Sequence, residues 1–582
     1  MVPLGAARGG GRTLSTRAGA TPLSSKLQSA TWLAGEAVRR LARAREWQVL
    51  AAIVVVAWFA ILGLALTVRH AGWTWYQGGD QLWFYTDGWL LAHGHLGYAG
   101  VGYLWPVLLA PIALVAGPNV QNAYPAVILI DVLVLLPVAL VALYAIGKRI
   151  AGRVFGYWCC AVFVAAPFVG ILYVNAGYHQ RYVEQFLPQA LGLTALSDFP
   201  ALVAVLISAY FCLRVVLDEQ PRIAHGLASG LAAGAAIGIK PSAALFLGGP
   251  ALALFDARRL RPALHFVAGL VPPAMTLALW KLRSSHHIPL LAAPYDELHT
   301  AAVATLPLAV NFHRLINLDW THLGDELANL RRYFAVGRVV EWSCVAGLFG
   351  LGRRSPGAAV LAGGWLGTFI VVKGTWDSAT LETGSLLRIM IPAFPAFVLL
   401  VAALPLLWPG LPQRLRPPAA RPAAPMSRRT LQALVAAVLV TAVVPFAAIA
   451  AAAPEKGPSP HAVEIGYTNG PSATDLKIGL TARARGNAVV LGWNAQHPAG
   501  GPVFYHVFRG PADAADYQCD AKTYVQRCYL SLTDLGPTRA TTFVDRPAPG
   551  RWAYRIGVAA NWLDDTNQGD VYVISSRVVS SR

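Results

Sequence analysis

The sequence predicts a polytopic α-helical membrane protein that ends in an extracytoplasmic β-sandwich. Three observations carry that prediction. Of 582 residues, 55% are hydrophobic and only 13% are charged, against roughly 25% charged in soluble domains. Apolar stretches of span length recur between residues 48 and 452. Beyond residue 472 the pattern becomes short alternating runs between Gly, Pro and Asp turns, which is how antiparallel strands read.

The first 46 residues are rich in Gly, Ser and Arg. They are too polar for a signal peptide and are expected to be a disordered cytoplasmic N-terminus. A span needs about 20 mostly apolar residues. About eleven stretches approach that: 48–68, 124–147, 154–174, 199–216, 224–240, 243–256, 263–281, 338–352, 357–373, 386–408 and 430–452. Of these, 243–256 and 338–352 are short. A further apolar piece, 103–117, opens on Trp-Pro, contains Pro111 and reads as a re-entrant or interfacial helix.

Lys and Arg set the orientation. Arg39, Arg40, Arg43 and Arg45 precede the first span, which puts the N-terminus in the cytoplasm. Alternation then places the basic clusters 148–153, 214–222, 256–261, 352–357 and 414–429 on the same inner side. Counting 103–117 as a full span would move 148–153 and the clusters after it outside, so the re-entrant reading is preferred. The net charge of +18 is thereby explained by span orientation, without nucleic acid as a partner.

The transmembrane unit, 47–453, leaves loops 69–123, 175–198, 282–337 and 374–385 outside. A linker, 454–471, leads to the sandwich, 472–582. Cys159, Cys160, Cys212 and Cys344 lie in apolar segments and read as small hydrophobes. Cys519 and Cys528 lie in the polar C-terminal region, where an oxidising compartment would let them pair as a disulfide.

The candidate chemistry sits at the outer ends of the spans. Residues 76–98, YQGGDQLWFYTDGWLLAHGHLGY, follow the first span. As a helix they place Asp80 and Asp87 nearly on one face, about 10 Å apart, with aromatic rings suited to the headgroup layer. Asp87 also reads as a hydrated carboxylate. Asp198 precedes Phe199 and Pro200, which is an N-capping position as well as a candidate site. Arg388 and Lys240 lie at outer span ends, where they either meet a phosphate or snorkel to headgroups. The stretch 175–186 offers His179, Arg181 and Glu184 beside several aromatics, as a sugar shelf or as a solvated loop. The stretch 375–384 offers Trp376 and Glu382 along an acceptor path. His286, His287, His299, His313 and His322 share a long external segment, but their spacing matches no metal-ligand pattern. Walker A, Rossmann and GxSxG motifs are missing from the sequence, which argues against nucleotide-sugar donors and ATP-driven transport.

Several motifs together resemble the GT-C superfamily of integral-membrane glycosyltransferases. The acidic residue at the start of the first external loop is followed by GWLLAHGHLGY (88–98) and by the proline-containing GYLWPVLLAP (102–111). SDFPALVAVLISAYFCLR (197–214) resembles the family's Asp-x-Pro start of a later span. The stretch 226–254 resembles its Gly-rich helix pair joined by Lys-Pro, and RIMIPAFPAFVLL (388–400) its Arg-x-x-x-Pro-x-x-Pro segment. The resemblance implies a polyprenyl-phosphate sugar donor, with Asp80 as general base and Arg388 and Lys240 at the donor phosphate. It also implies inversion at the sugar, and a cell-envelope glycan, lipid or protein as acceptor. Many members carry Asp-Glu or Asp-Asp where this chain has Asp80-Gln81. That departure bears on a divalent metal, which stays open as a cofactor, more than on a base; no metal ligand is assigned.

The C-terminal region resembles a fibronectin type III domain. Trp493 sits like the early-strand core Trp, and PGRWAYRIGVAAN resembles the E–F corner with its Tyr554. Such domains bind or support, and no chemistry is assigned to this one. A lipid-linked sugar flippase and a membrane-anchored scaffold are the competing readings. Transporters place their charges near the bilayer midplane in repeated halves, and eleven spans exceed what an anchor needs. The expected location is the plasma (inner) membrane of a bacterium with a GC-rich, Ala-, Gly-, Arg- and Pro-heavy composition.

Overall fold

The computed structural model describes residues 41, 43–67, 78–96, 102–116, 120–285, 316, 318–377, 379–409, 427–454, 479–495, 504–511, 533–559, 571–574 and 578–581. The chain divides into two units, Met1–Val49 and Leu50–Arg582, and the candidate site and both larger sheets belong to the second.

The helices begin with α1 (Glu46–Thr67), α2 (Gly78–Ala92), α3 (Leu104–Ala116), α4 (Ala123–Ala151) and α5 (Arg153–Tyr173). They continue with α6 (Ala176–Gln185), α7 (Asp198–Leu217), α8 (Ile223–Ile239), α9 (Pro241–Asp256) and α10 (Leu260–Ser285). The rest are α11 (Trp320–Tyr333), α12 (Gly337–Arg354), α13 (Pro356–Gly374), α14 (Ser385–Ile389), α15 (Ile391–Leu407) and α16 (Arg428–Ala451).

Among the described residues, seven helices are long and apolar enough to cross a membrane: α1, α4, α5, α7, α10, α13 and α16. The other four expected spans are helices that fall short of that standard. Lys240-Pro241 stops α8 and opens α9 as a 3-10 turn, because proline supplies no backbone N–H. Prolines likewise leave 3-10 turns at Ile391–Ala393 and Leu404–Leu407 in α15. Helix α12 carries Arg338, Glu341, Arg353 and Arg354. Helix α3 is short and apolar, as expected for 103–117, and packs against α2 so closely that a side chain on Gly88 would meet the Pro106 carbonyl.

Helices α8 and α10 touch through glycine. A Cβ on Gly230 would sit 1.8 Å from the Phe266 carbonyl oxygen, and one on Gly269 would sit 2.2 Å from that of Leu227. Small residues permit this backbone approach, which is how helices associate where no hydrophobic drive exists. Two long helices contain a π turn, Asp131–Leu135 in α4 and Leu439–Val443 in α16. A π turn frees carbonyls from the i→i+4 ladder, and side chains from elsewhere bond them here. Trp58 donates to the Val132 carbonyl at 2.9 Å. Tyr103 donates to that of Thr441, and Thr276 to that of Ala442 at 3.4 Å.

Four of the five basic clusters predicted to share a side make contact; most of the fifth, 414–429, lies outside the described residues. Arg149 pairs with Asp218, Arg259 donates to the Asp218 and Glu219 carbonyls, and Arg354 donates to that of Ile150. A two-residue parallel bridge, β1 (His95–Leu96) with β2 (Ala453–Pro454), ties the end of α2 to the chain just beyond α16.

After residue 478 the described residues form strands only. These are β3 (Thr481–Arg485), β4 (Ala488–Gly492), β5 (Phe504–Pro511), β6 (Thr533–Thr538), β7 (Thr542–Asp545), β8 (Gly550–Ala559), β9 (Val571–Ile574) and β10 (Val578–Ser581). One antiparallel sheet runs β3-β4-β7; the other runs β10-β8-β5-β6, with β9 also paired to β8. Val489, Leu491 and Trp493 from the first share a buried cluster with Tyr505, Val507, Tyr554 and Ile556 from the second. Cys519 and Cys528 lie outside the described residues.

Candidate functional site

Helix α2 begins at Gly78, so Asp80 occupies its first turn; the side chain of Asp80 is not among those described. The neighbouring Gln81 is fully buried, and its carboxamide oxygen accepts the Ala195 N–H at 2.7 Å. The Ala195 carbonyl in turn accepts the indole N–H of Trp105 at 2.9 Å. The two bonds clamp one residue, Ala195, of the loop leading into α7 between α2 and α3. Three residues later, that loop delivers Asp198. The Asp80 turn and the Asp198 turn are thus brought together, although more than a hundred residues separate them in the chain.

Asp198 is fully buried at the start of α7. Its side chain caps no backbone N–H; Ser197 occupies the N-cap position without a side-chain bond. Instead Oδ1 binds the Lys240 ammonium, and Oδ2 lies 3.9 Å from the Arg388 guanidinium Nε. Both cations retain only modest exposure, 14% for the Lys240 side chain and 20% for that of Arg388. They therefore do not snorkel into open solvent. Lys240 is positioned by the break between α8 and α9, and Arg388 by α14. The neighbouring charge that acts on Lys373, at the end of α13, is Lys240. The Lys373 ammonium stands 3.8 Å from the centre of the Trp376 ring. Two cations thus share one carboxylate, with Lys373 neighbouring Lys240, an arrangement whose surplus positive charge suits an anion such as a phosphate.

The segment 375–384 is fixed from below. Buried Glu326 on α11 accepts the Leu381 N–H at 2.5 Å, and Tyr178 on α6 donates to the Leu381 carbonyl at 2.5 Å. Burial pushes the Tyr178 phenol up, so it remains a donor across ordinary pH. The His322 imidazole contacts the Ala379 carbonyl at 3.2 Å. Gly384 takes φ +80°, and a side chain there would strike Gln185 at 2.6 Å. Trp376 is half-buried, whereas Glu382 is exposed. On α6, His179 and Arg181 are exposed, and the Glu184 side chain lies outside the described residues.

Asp87 departs from the hydrated reading. It is 3% exposed, and its charge partner is the buried Lys281 of α10. Burial pushes its carboxyl well above the usual range, and Lys281 opposes that shift. The first loop's second aspartate therefore faces the packed interior, toward Lys281 of α10.

Sequence reasoning missed three polar residues near this site. Lys373 was absorbed into a span. Asp131 is fully buried in the first π turn, with neither oxygen hydrogen-bonded among the described residues, and its Cβ would lie 3.1 Å from one added at Gly192. Gln189 is fully buried in the same approach to α7, its carboxamide unbonded among the described residues. A lone Asp inside ILIDVLVLL is a readable signal, since charge within a span is costly. Among the described residues, no three His, Cys, Asp or Glu side chains group as metal ligands would.

No protein-family model and no curated protein matches the chain. Among solved structures it is similar to the Archaeoglobus fulgidus oligosaccharyltransferase in the apo form, at 14% identity and TM-score 0.35, covering 71% of this chain and 57% of that one. It is likewise similar to the archaeal oligosaccharyltransferase AglB from Archaeoglobus fulgidus in complex with an inhibitory peptide and a dolichol-phosphate. There the identity is 13%, the TM-score 0.36, and the coverage 70% of this chain and 56% of that one. The matched region thus spans little more than half the length of these proteins.

Proposed function

We propose that this membrane protein is a glycosyltransferase of the GT-C kind. It transfers a sugar from a polyprenyl-phosphate donor to an envelope glycan, lipid or protein acceptor on the extracytoplasmic face. The observation that carries the reading is the Asp198–Lys240–Arg388 cluster, joined to the Asp80 turn through the Gln81–Ala195 bond. The motifs of residues 78–98, 197–214, 226–254 and 388–400 support the same reading.

In this mechanism Asp80 is the general base. The acceptor oxygen bonds to the anomeric carbon as its proton passes to the Asp80 carboxylate. The bond from that carbon to the phosphate oxygen breaks with its electron pair, and the configuration inverts. Polyprenyl phosphate leaves with one added negative charge, which Lys240 and Arg388 stabilise. Asp198 holds those two cations in place, and Trp376 lines the acceptor path. The C-terminal sheets act as a fibronectin type III-like accessory domain that binds or supports.

The test is sugar transfer by the purified, lipid-reconstituted protein, offered a panel of polyprenyl-phosphate sugars and envelope acceptors. Transfer is expected from wild type, and at least a hundredfold less from a folded Asp80→Asn variant. Undiminished transfer by that variant removes Asp80 as the base. Donor translocation without transfer replaces the enzyme with a flippase.

A further inference from the structure

A second polar–apolar site lies at the opposite end of α7 from Asp198. A cavity of about 650 Å³ opens between α7, α8 and α16. Its walls are largely apolar, with Ala204, Ala235 and Ala437 contributed by α7, α8 and α16 in turn. Its rim is basic, formed by Arg214, Arg222 and Arg429 with His225. Along α7 the cavity begins about 9 Å from Asp198 at Ala204 and ends about 24 Å from it at Arg214.

The rim is incompletely satisfied from within the protein. Asp218 supplies a carboxylate 3.6 Å from Arg214 and 3.9 Å from His225, but Arg149 also binds it. Arg214 Nε and His225 Nδ1, the atoms nearest that carboxylate, make no hydrogen bond among the described residues, and His225 is only 6% exposed. Arg222 and Arg429 form no ion pair among the described residues. The rim therefore keeps an excess of positive charge beside a space that continues into apolar walls.

We infer that this groove binds an anionic phospholipid from the leaflet facing the basic loops, with its phosphate on the arginine rim and an acyl chain between α8 and α16. Charge selects the headgroup, and the walls select a lipid over a free anion. Basic pockets between spans on the side of the basic loops bind acidic lipid headgroups. The site is independent of sugar transfer. It gives α16, whose surface is otherwise largely open, a lipid-mediated attachment to α7 and α8.

The experiment uses the full-length protein, delipidated in detergent, and reads lipid retention by native mass spectrometry alongside the thermal midpoint. Phosphatidylglycerol is expected to be retained and to raise the midpoint; phosphatidylcholine and inorganic phosphate are expected to do neither. The double variant R222Q/R429Q should bind phosphatidylglycerol about 30-fold more weakly. Ala437→Phe fills the groove without changing any charge and should also displace the lipid. It keeps the test open if the arginine variant folds poorly. Equal retention of phosphatidylcholine, an equal midpoint shift with inorganic phosphate, or wild-type retention by Ala437→Phe would each overturn the proposal.

Discussion

Asp198 shows how much one residue's role depends on its surroundings. At a helix start before Phe199-Pro200 it reads as a cap, yet its carboxylate is spent on Lys240 and Arg388. Removing one partner of a buried ionic group leaves uncompensated charge, at a cost of about 3–5 kcal/mol. Asp198→Ala is therefore expected to lower the thermal midpoint sharply, and Asp198→Asn to lower it less, since it keeps the shape and an acceptor. A melt of both variants in the same detergent checks the order. Gln81 is the complementary case. In the sequence it stands only where a second acid would be. In the fold its oxygen satisfies a buried backbone N–H. Gln81→Leu should cost about 1–3 kcal/mol through that orphaned donor and reduce transfer by loosening the turn next to Asp80.

Secondary elements were the most readable level, where composition and period act locally. The long apolar helices α1, α4, α5, α7, α10, α13 and α16 each coincide with a predicted span, because the bilayer imposes one length on all of them. The broken helices were less readable, since a proline marks a break without saying how the two sides pack. Contact between α8 and α10 was invisible in the same way. Glycines at 226, 230 and 234 mark a small-residue stripe, but only packing shows that Gly230 faces Phe266. Gly230→Val should separate these helices and reduce the yield of monodisperse protein in size-exclusion chromatography. Gly269→Ala should reduce it as well, through the Leu227 carbonyl. In the C-terminal sheets, Tyr554 is fully buried and donates to Asp545 at 2.7 Å, while Arg509 binds the same carboxylate. Burial raises the Tyr554 phenol, so it stays a donor at every ordinary pH. Tyr554→Phe is expected to destabilise the sheets by about 1–3 kcal/mol, read from urea unfolding followed by Trp493 fluorescence.

For the whole molecule the governing feature is polarity along the helix axes. The Asp198 cluster lies at one end of α7; Arg149, Arg214, Asp218 and Arg259 gather at the other. The positive-inside rule assigns the second end to the cytoplasm. On that assignment a cysteine replacing Thr383 should react with an impermeant maleimide in intact cells. One replacing Arg258 should react only after permeabilisation. Both belong in a background without the native cysteines. The reverse pattern would place the proposed chemistry on the cytoplasmic face and remove the extracytoplasmic donor from the reading.

The sequence by itself determined that the chain lives in a membrane, where its long apolar helices lie and where strands replace helices. Those properties follow from hydropathy, charge and period, which act over tens of neighbouring residues. The tertiary structure alone decided that Gln81 grips the loop before Asp198, that Lys240 and Arg388 converge on one carboxylate, and that Asp87 turns inward to Lys281. It also decided that Arg214, Arg222 and Arg429 rim one cavity. Each of these joins residues far apart in the chain, and their cost or benefit exists only once the intervening helices have packed.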